Sequence, residues 1–183
     1  MSLKLSVVGT GYLGATHAAC MASLGFDVIG VDVDAAKIDL LSQGKVPFYE
    51  PELEELLAAQ IKSGRLKFSK DFKDIADCDV HFICVGTPQV KDGIAADLTY
   101  VNSAVEKIAP IIKAGSLVVG KSTVPVGTAA RLRDLLISVN PDSDLAWNPE
   151  FLREGFAVED TLRPNRLVAV SYTHLTLPTK RIV

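Results

Sequence analysis

Short apolar runs rich in Val and Ile alternate along the chain with amphipathic stretches. Leu3–Val8 predicts a strand, then a glycine turn, then a helix from about Tyr12 to Leu24. Asp27–Val31 predicts a second strand closing on Asp32, and Asp34–Ser42 a helix with Asp34 as its N-cap. After a loop over Gly44–Pro51, Leu53, Leu56, Leu57 and Ile61 recur at helical spacing, which predicts a helix over Glu52–Ser63. Leu66–Ser69 predicts a short strand and Asp71–Ala76 a brief helix. The near-continuous apolar run Val80–Val85 is the pattern of a strand covered on both faces. Thr87–Ala96 predicts a loop, and Asp97 caps a long helix ending near Lys113, with Gly115 as its stop. Further on, the pattern predicts strands over Leu117–Val119, Leu145–Trp147 and Leu167–Val170. It also predicts a helix over Gly127–Val139 and partial helix over Glu150–Asp160.

Alternating strands and helices with apolar strands imply an α/β fold: a Rossmann-type, doubly wound, mainly parallel sheet with helices on both faces. Ligands of such sheets bind beyond the carboxyl ends of the strands. That directs attention to residues 9–14, 32–37, 85–89, 121–125 and 147–154.

The 183 residues carry 19 Lys and Arg against 22 Asp and Glu, a net charge of −3. At about 150 residues per domain, this is one full domain and little more. A net-acidic chain without a long basic run is a poor partner for nucleic acid or an anionic membrane. Leu5–Phe26 lacks any charged residue and is long enough to suggest a membrane span. Its glycines and small polar residues fit a strand, a turn and a buried helix better. Cys20, Cys78 and Cys84 are too few and too scattered for a disulfide framework or zinc site, which fits a reducing, cytoplasmic setting. Cys78 and Cys84 read as small buried apolar residues. His17 and His81 read as packing residues on a helix and a strand.

Gly9-Thr10-Gly11-Tyr12-Leu13-Gly14 matches G-x-G-x-x-G in its proper context, after an apolar strand and opening a helix. Gly9 permits the tight turn, Gly11 the approach of a pyrophosphate, and Gly14 close helix–strand contact. Tyr12 and Leu13 pack at the turn. Asp32 follows Gly14 by 18 residues at the end of the second strand. An acid there accepts from ribose hydroxyls and repels a 2′-phosphate, which favours NAD over NADP. Lys37 reaches the ribose or phosphate side, or is a solvated helix lysine.

Three more segments lie at predicted strand ends: Val85-Gly86-Thr87-Pro88, Lys121-Ser122-Thr123-Val124-Pro125-Val126-Gly127-Thr128, and Asn148-Pro149-Glu150-Phe151-Leu152-Arg153-Glu154-Gly155. With Tyr49-Glu50-Pro51 and Ala96-Asp97-Leu98, their order makes the chain resemble the UDP-glucose/GDP-mannose dehydrogenase family over roughly residues 3–170. The resemblance implies NAD-dependent, two-step oxidation of a sugar 6-hydroxyl to a carboxylate through a cysteine-bound thiohemiacetal and thioester. UDP-glucose is the expected substrate. Another nucleotide sugar such as GDP-mannose, a hydroxyacid, or a stand-alone NAD-binding module remain the alternatives. The resemblance also implies a homodimer or larger assembly for the full-length form.

Carried over by position, the resemblance assigns NAD contacts to Gly9–Gly14, Asp32 and Lys37. Val85, Gly86, Thr87, Pro88, Gln89, Ser122, Thr123 and Val124 are expected on the nicotinamide side. Thr123 would place a water or an oxyanion, and Glu150 would assist thioester hydrolysis as a general base. Phe151, Leu152, Arg153 and Glu154 would contact the sugar nucleotide, Glu154 also lying near the nicotinamide. From the residues alone, Thr123 could simply cap a turn. Glu150 and Glu154 could form a solvated face, and Arg153 a surface ion pair.

The nucleophilic cysteine and a catalytic lysine are expected in a second half beyond this chain. Cys84 matches a strand-end position and not the family's glycine-flanked cysteine. Residues 1–170 are therefore read as the NAD-binding domain. Residues 171–183, including His174, are read as an atypical tail of foreign origin or a divergent linker.

Overall fold

The structure, a computed structural model, describes residues 3–91 and 93–171. Among the described residues, seven strands form one sheet in the order β3-β2-β1-β4-β5-β6-β7. They are β1 (Lys4–Val8), β2 (Asp27–Val31), β3 (Leu66–Ser69), β4 (Val80–Ile83), β5 (Leu117–Gly120), β6 (Asp144–Trp147) and β7 (Val170–Ser171). The first six are parallel. β7 pairs antiparallel with β6 at the edge. The helices are α1 (Tyr12–Ser23), α2 (Ala35–Ser42), α3 (Leu53–Lys62), α4 (Thr99–Ile108), α5 (Thr128–Val139) and α6 (Ala157–Leu162), with one 3₁₀ turn over Phe72–Ile75. This is the expected doubly wound Rossmann-type fold.

Side-chain alternation across the strands builds two cores. On one face, Val8, Ile83, Val118 and Leu145 meet Val101, Val105 and Ile108 of α4 and Leu132 and Leu136 of α5. On the other, Leu5, Val7, Val28 and Leu66 meet Ala15, Ala18 and Ala19 of α1 and Leu53 and Leu57 of α3. α1 also packs against α6, so it is wrapped on several sides. That accounts for the uncharged run over Leu5–Phe26 without a membrane. Among the described residues, no helix is long and apolar enough to cross one. Cys20, Cys78 and Cys84 are all buried.

Five expectations change. The helix expected to run to near Lys113 ends at Ile108, because Pro110 has no amide to continue the ladder. Its cap residue is Leu98, while Asp97 just before it accepts from the Thr99 amide at 2.9 Å. β4 stops at Ile83, two residues short of the expected Val85, so Cys84 and Val85 already belong to the loop. Helix in the Glu150–Asp160 stretch begins only at Ala157. The last strand starts at Val170, not Leu167, and reverses direction. Residues 172–183 of the expected tail lie outside the described residues.

Candidate active site

The strand order reverses between β1 and β4, so the loops that follow them diverge and leave a crevice at the carboxyl edge. Gly9 starts the β1 turn at φ +88°, and a Cβ there would stand 2.8 Å from Val85 Cγ1. Gly14 is tighter still: its Cβ would overlap the Gly9 carbonyl. A Cβ at Gly11 would meet nothing among the described residues within 4 Å, so the backbone is bare toward the cleft. Gly11 also caps α1 without any side-chain hydrogen bond. The amides of the first helical turn thus have no side-chain cap and carry the positive end of the helix.

Beside this turn lies a cleft of about 580 Å³. Gly9, Gly11, Asp32, Lys37, Val85, Gly86 and Pro88 line it. Asp32 is only 7% exposed. Its Oδ2 accepts from the Thr10 amide at 2.8 Å, the Thr10 hydroxyl at 3.1 Å and Lys37 Nζ at 3.0 Å. Its Oδ1 accepts from the Asp34 amide at 3.0 Å. Burial pulls its pKa upward, but the Asp34 and Thr10 amides and the Lys37 ammonium outweigh that and hold it below the ordinary carboxylate range. Asp32 is therefore a fixed anion on the cleft wall, and Lys37 is its ion-pair partner, not a solvated helix lysine. Thr10 buttresses Asp32 from behind. The opposite wall holds Phe72, Tyr100, Ser103 and Lys107, none of them singled out from the sequence. Lys107 Nζ sits 3.7 Å over the Phe72 ring. No local motif marks these four; strand order alone brings them to the cleft.

A second cleft, of about 730 Å³, opens on the other side of the turn. Leu13, Glu150, Phe151, Leu152 and Arg153 line it, together with His17, Lys121 and Asn148. Glu150 is half-buried; its Oε2 accepts from the Leu152 amide at 2.8 Å, and its own amide is tied to the Lys121 carbonyl at 3.1 Å. Lys121 Nζ donates to Asn148 Oδ1 at 2.9 Å. Burial lowers the Lys121 pKa, against the pull of Cys84 and Glu150. His17 packs edge-on against Phe82 at 4.4 Å, and its buried Nε2 has no hydrogen-bond partner among the described residues. Burial pushes its pKa down to about 3, with Lys121 adding to the effect.

The β4 and β5 loops are locked together by Ser122 Oγ donating to the Val85 carbonyl at 2.6 Å and Thr87 Oγ1 donating to the Thr123 carbonyl at 2.9 Å. Thr123 is itself exposed and belongs to neither cleft wall; nor do Thr87, Gln89, Ser122 and Val124. Glu154 is exposed as well. Arg153 does form an ion pair, with Asp160, at 2.7 Å and 3.0 Å, and stacks on Phe156 at 4.9 Å. Tyr12 turns away from both clefts toward Glu50, a buried carboxylate that residue-type reasoning alone did not single out.

A family model described as the NAD-binding domain of the UDP-glucose/GDP-mannose dehydrogenase family matches residues 3–177. The chain belongs to that family. Its cofactor is NAD, and the bare glycine turn beside a fixed carboxylate fits that dinucleotide. The chain is 44% identical over 169 residues to a UDP-glucose 6-dehydrogenase of Rhizobium meliloti, covering 91% of this chain and 39% of the relative. The UDP-glucose dehydrogenase structure from Pyrobaculum islandicum superposes with a TM-score of 0.88 at 42% identity, covering 94% of this chain and 41% of that one. A ternary complex of GDP-mannose dehydrogenase from Pseudomonas aeruginosa gives 0.86 at 41% identity, covering 91% and 40%. The chain thus spans about two fifths of the length of the relatives it matches. Relatives named for two different nucleotide sugars are almost equally similar.

Proposed function

We propose that this chain is the NAD-binding portion of a nucleotide-sugar 6-dehydrogenase, with UDP-glucose as substrate. The observation that carries the reading is the pair of clefts flanking one glycine turn. The fixed anion Asp32 stands on one side and the anchored carboxylate Glu150 on the other. Bound NAD supplies the hydride acceptor for both oxidation steps. Asp32 takes the adenosine ribose hydroxyls, with Lys37 and Thr10 holding it in place. The amides of the turn from Gly9 to Gly14 face the pyrophosphate. By the family resemblance Val85 to Gln89, Ser122 to Val124 and Glu154 are assigned to the nicotinamide side; Val85, Gly86 and Pro88 line the cleft, and the two cross-links tie the Ser122–Val124 loop behind them.

Glu150 is the general base for the hydrolytic step, aimed by the Leu152 amide. Phe151 to Glu154 bound the sugar, and Thr123 directs its hydroxyl to the water or oxyanion. The reading leaves the nucleophilic thiol to the portion of the relatives outside the matched span. This chain's own thiols are unsuited to that work. Burial pushes Cys84 and Cys20 up to about 12 and Cys78 to about 11, which keeps each protonated at neutral pH.

The test is NADH formation by the protein carrying the remainder of its relatives' length. Two NADH per UDP-glucose are expected, with Glu150→Gln stalling after rapid NADH release. Normal steady turnover by Glu150→Gln would remove its role, and a preference for GDP-mannose would overturn the substrate assignment.

A further inference from the structure

Glu50 is a carboxylate with no place in the chemistry described above, yet it is only 4% exposed and fully engaged. Its Oε2 accepts from the Tyr12 hydroxyl at 2.5 Å and from the Gly155 amide at 2.8 Å. Its Oε1 accepts from the Ala157 amide at 2.7 Å. One side chain thus joins the first residue of α1, on the glycine turn, to the end of the loop that carries Glu150 and Arg153. The partners are 38, 105 and 107 residues away in sequence.

The turn presenting Glu50 is strained. Glu52 stands at φ +65°, the one positive-φ residue besides glycine among the described residues. Such a backbone costs energy and persists only where the surroundings impose it. Burying a carboxylate is likewise costly unless charge-assisted hydrogen bonds compensate, as three do here. Tyr12 is held at the other end by Phe48, whose ring it meets edge-on at 5.2 Å. Burial and the Glu50 carboxylate both raise the Tyr12 pKa well above the usual phenol value, so the hydroxyl remains a donor.

We propose that Glu50 is a positioning residue that fastens the Glu150–Ala157 loop to the glycine turn through Tyr12, so that filling the first cleft tightens the loop lining the second. This rests on the glycine turn being the NAD seat. Ordering of the turn by a dinucleotide is passed to Gly155 and Ala157 through one carboxylate, and the base and the cofactor are brought into register.

Hydrogen exchange of residues 150–160, read by mass spectrometry on this chain with and without saturating NAD, tests it. NAD saturation is established for each variant by titration. In the wild type, NAD slows exchange at Gly155 and Ala157 by about fivefold or more, the equivalent of one net hydrogen bond. At its own saturation, Tyr12→Phe loses that NAD-dependent slowing. Glu50→Gln places an amide donor against one of the two backbone donors. It speeds exchange at Gly155 and Ala157 by about fivefold without NAD, while β1 and β4 stay protected. Should Glu50→Gln fail to fold, Tyr12→Phe still decides. Saturable NAD binding without slowing at these amides, or slowing that survives Tyr12→Phe, overturns the coupling alone. Folded protein that binds no NAD overturns the functional reading and the coupling with it.

Discussion

Lowering the pH from 7 to 5 should destabilise this domain steeply, because two histidines are buried neutral. His81 lies inside β4, with Nδ1 sharing a 2.7 Å hydrogen bond with Ser6 Oγ and Nε2 unpartnered among the described residues. Burial lowers its pKa to about 4, and that of His17 to about 3. The unfolded chain takes up protons near 6.5 whereas the folded one refuses them. Stability is therefore fully present above that value and falls as the pH drops below it. At pH 5 each histidine costs about 2 kcal/mol, about 4 kcal/mol together, by the proton-linkage relation. That is a large part of the 5–15 kcal/mol typical of a domain. Asp32, Asp79 and Asp160 have lowered pKa values, and their contribution is lost only below about pH 4, outside this window. Urea unfolding followed by the single, buried Trp147 reads the effect directly. With a slope of about 2–3 kcal/mol/M the midpoint drops by roughly 1.3–2 M. His81→Asn keeps a hydrogen-bonding atom near the Nδ1 position and removes about half of the pH dependence. Equal midpoints at pH 7 and 5, or a pH dependence untouched by His81→Asn, would refute the reasoning.

Other perturbations follow from the same geometry. Gly14→Ala drives a methyl group into the Gly9 carbonyl, so thermal unfolding should show a loss of about 1–3 kcal/mol or more; a wild-type Tm would contradict the close approach. All three thiols should resist iodoacetamide at pH 8 in the native state and react promptly in urea. Fast native labelling of Cys84 would reopen it as a nucleophile. Arg153→Ala removes a bidentate ion pair at the surface, and it should leave the urea midpoint nearly unchanged. A clear drop would mean that the loop carries more of the fold than its exposure implies.

Much of this was legible from periodicity. The strands over residues 27–31 and 66–69 fall where the apolar runs place them, and Asp34 does cap α2, accepting from the Lys37 amide. Asp32 was legible because a strand end and a glycine motif fix its distance from the turn. The boundaries that shifted are those set by tertiary context. β4 ends early, where Cys84 and Val85 turn into the loop, and the chain after α6 reverses to pair with β6. The far wall of the first cleft, with Phe72 and Tyr100, was not legible, since only the sheet order carries it there. Glu50 is the clearest omission from residue-type reasoning. Its neighbours in sequence say nothing of partners more than a hundred residues away, although Tyr49-Glu50-Pro51 was among the motifs carrying the family resemblance.

The central claim is that the cleft beside the glycine turn holds NAD through Asp32. Calorimetric titration of the folded chain with NAD, for wild type and Asp32→Ala side by side, tests it most directly. The account predicts saturable NAD binding by the wild type. For Asp32→Ala it predicts an affinity lower by about 10–100-fold, the value of hydrogen bonds to a charged group. Folded wild-type protein without saturable binding, or Asp32→Ala binding NAD as tightly as the wild type, would contradict it.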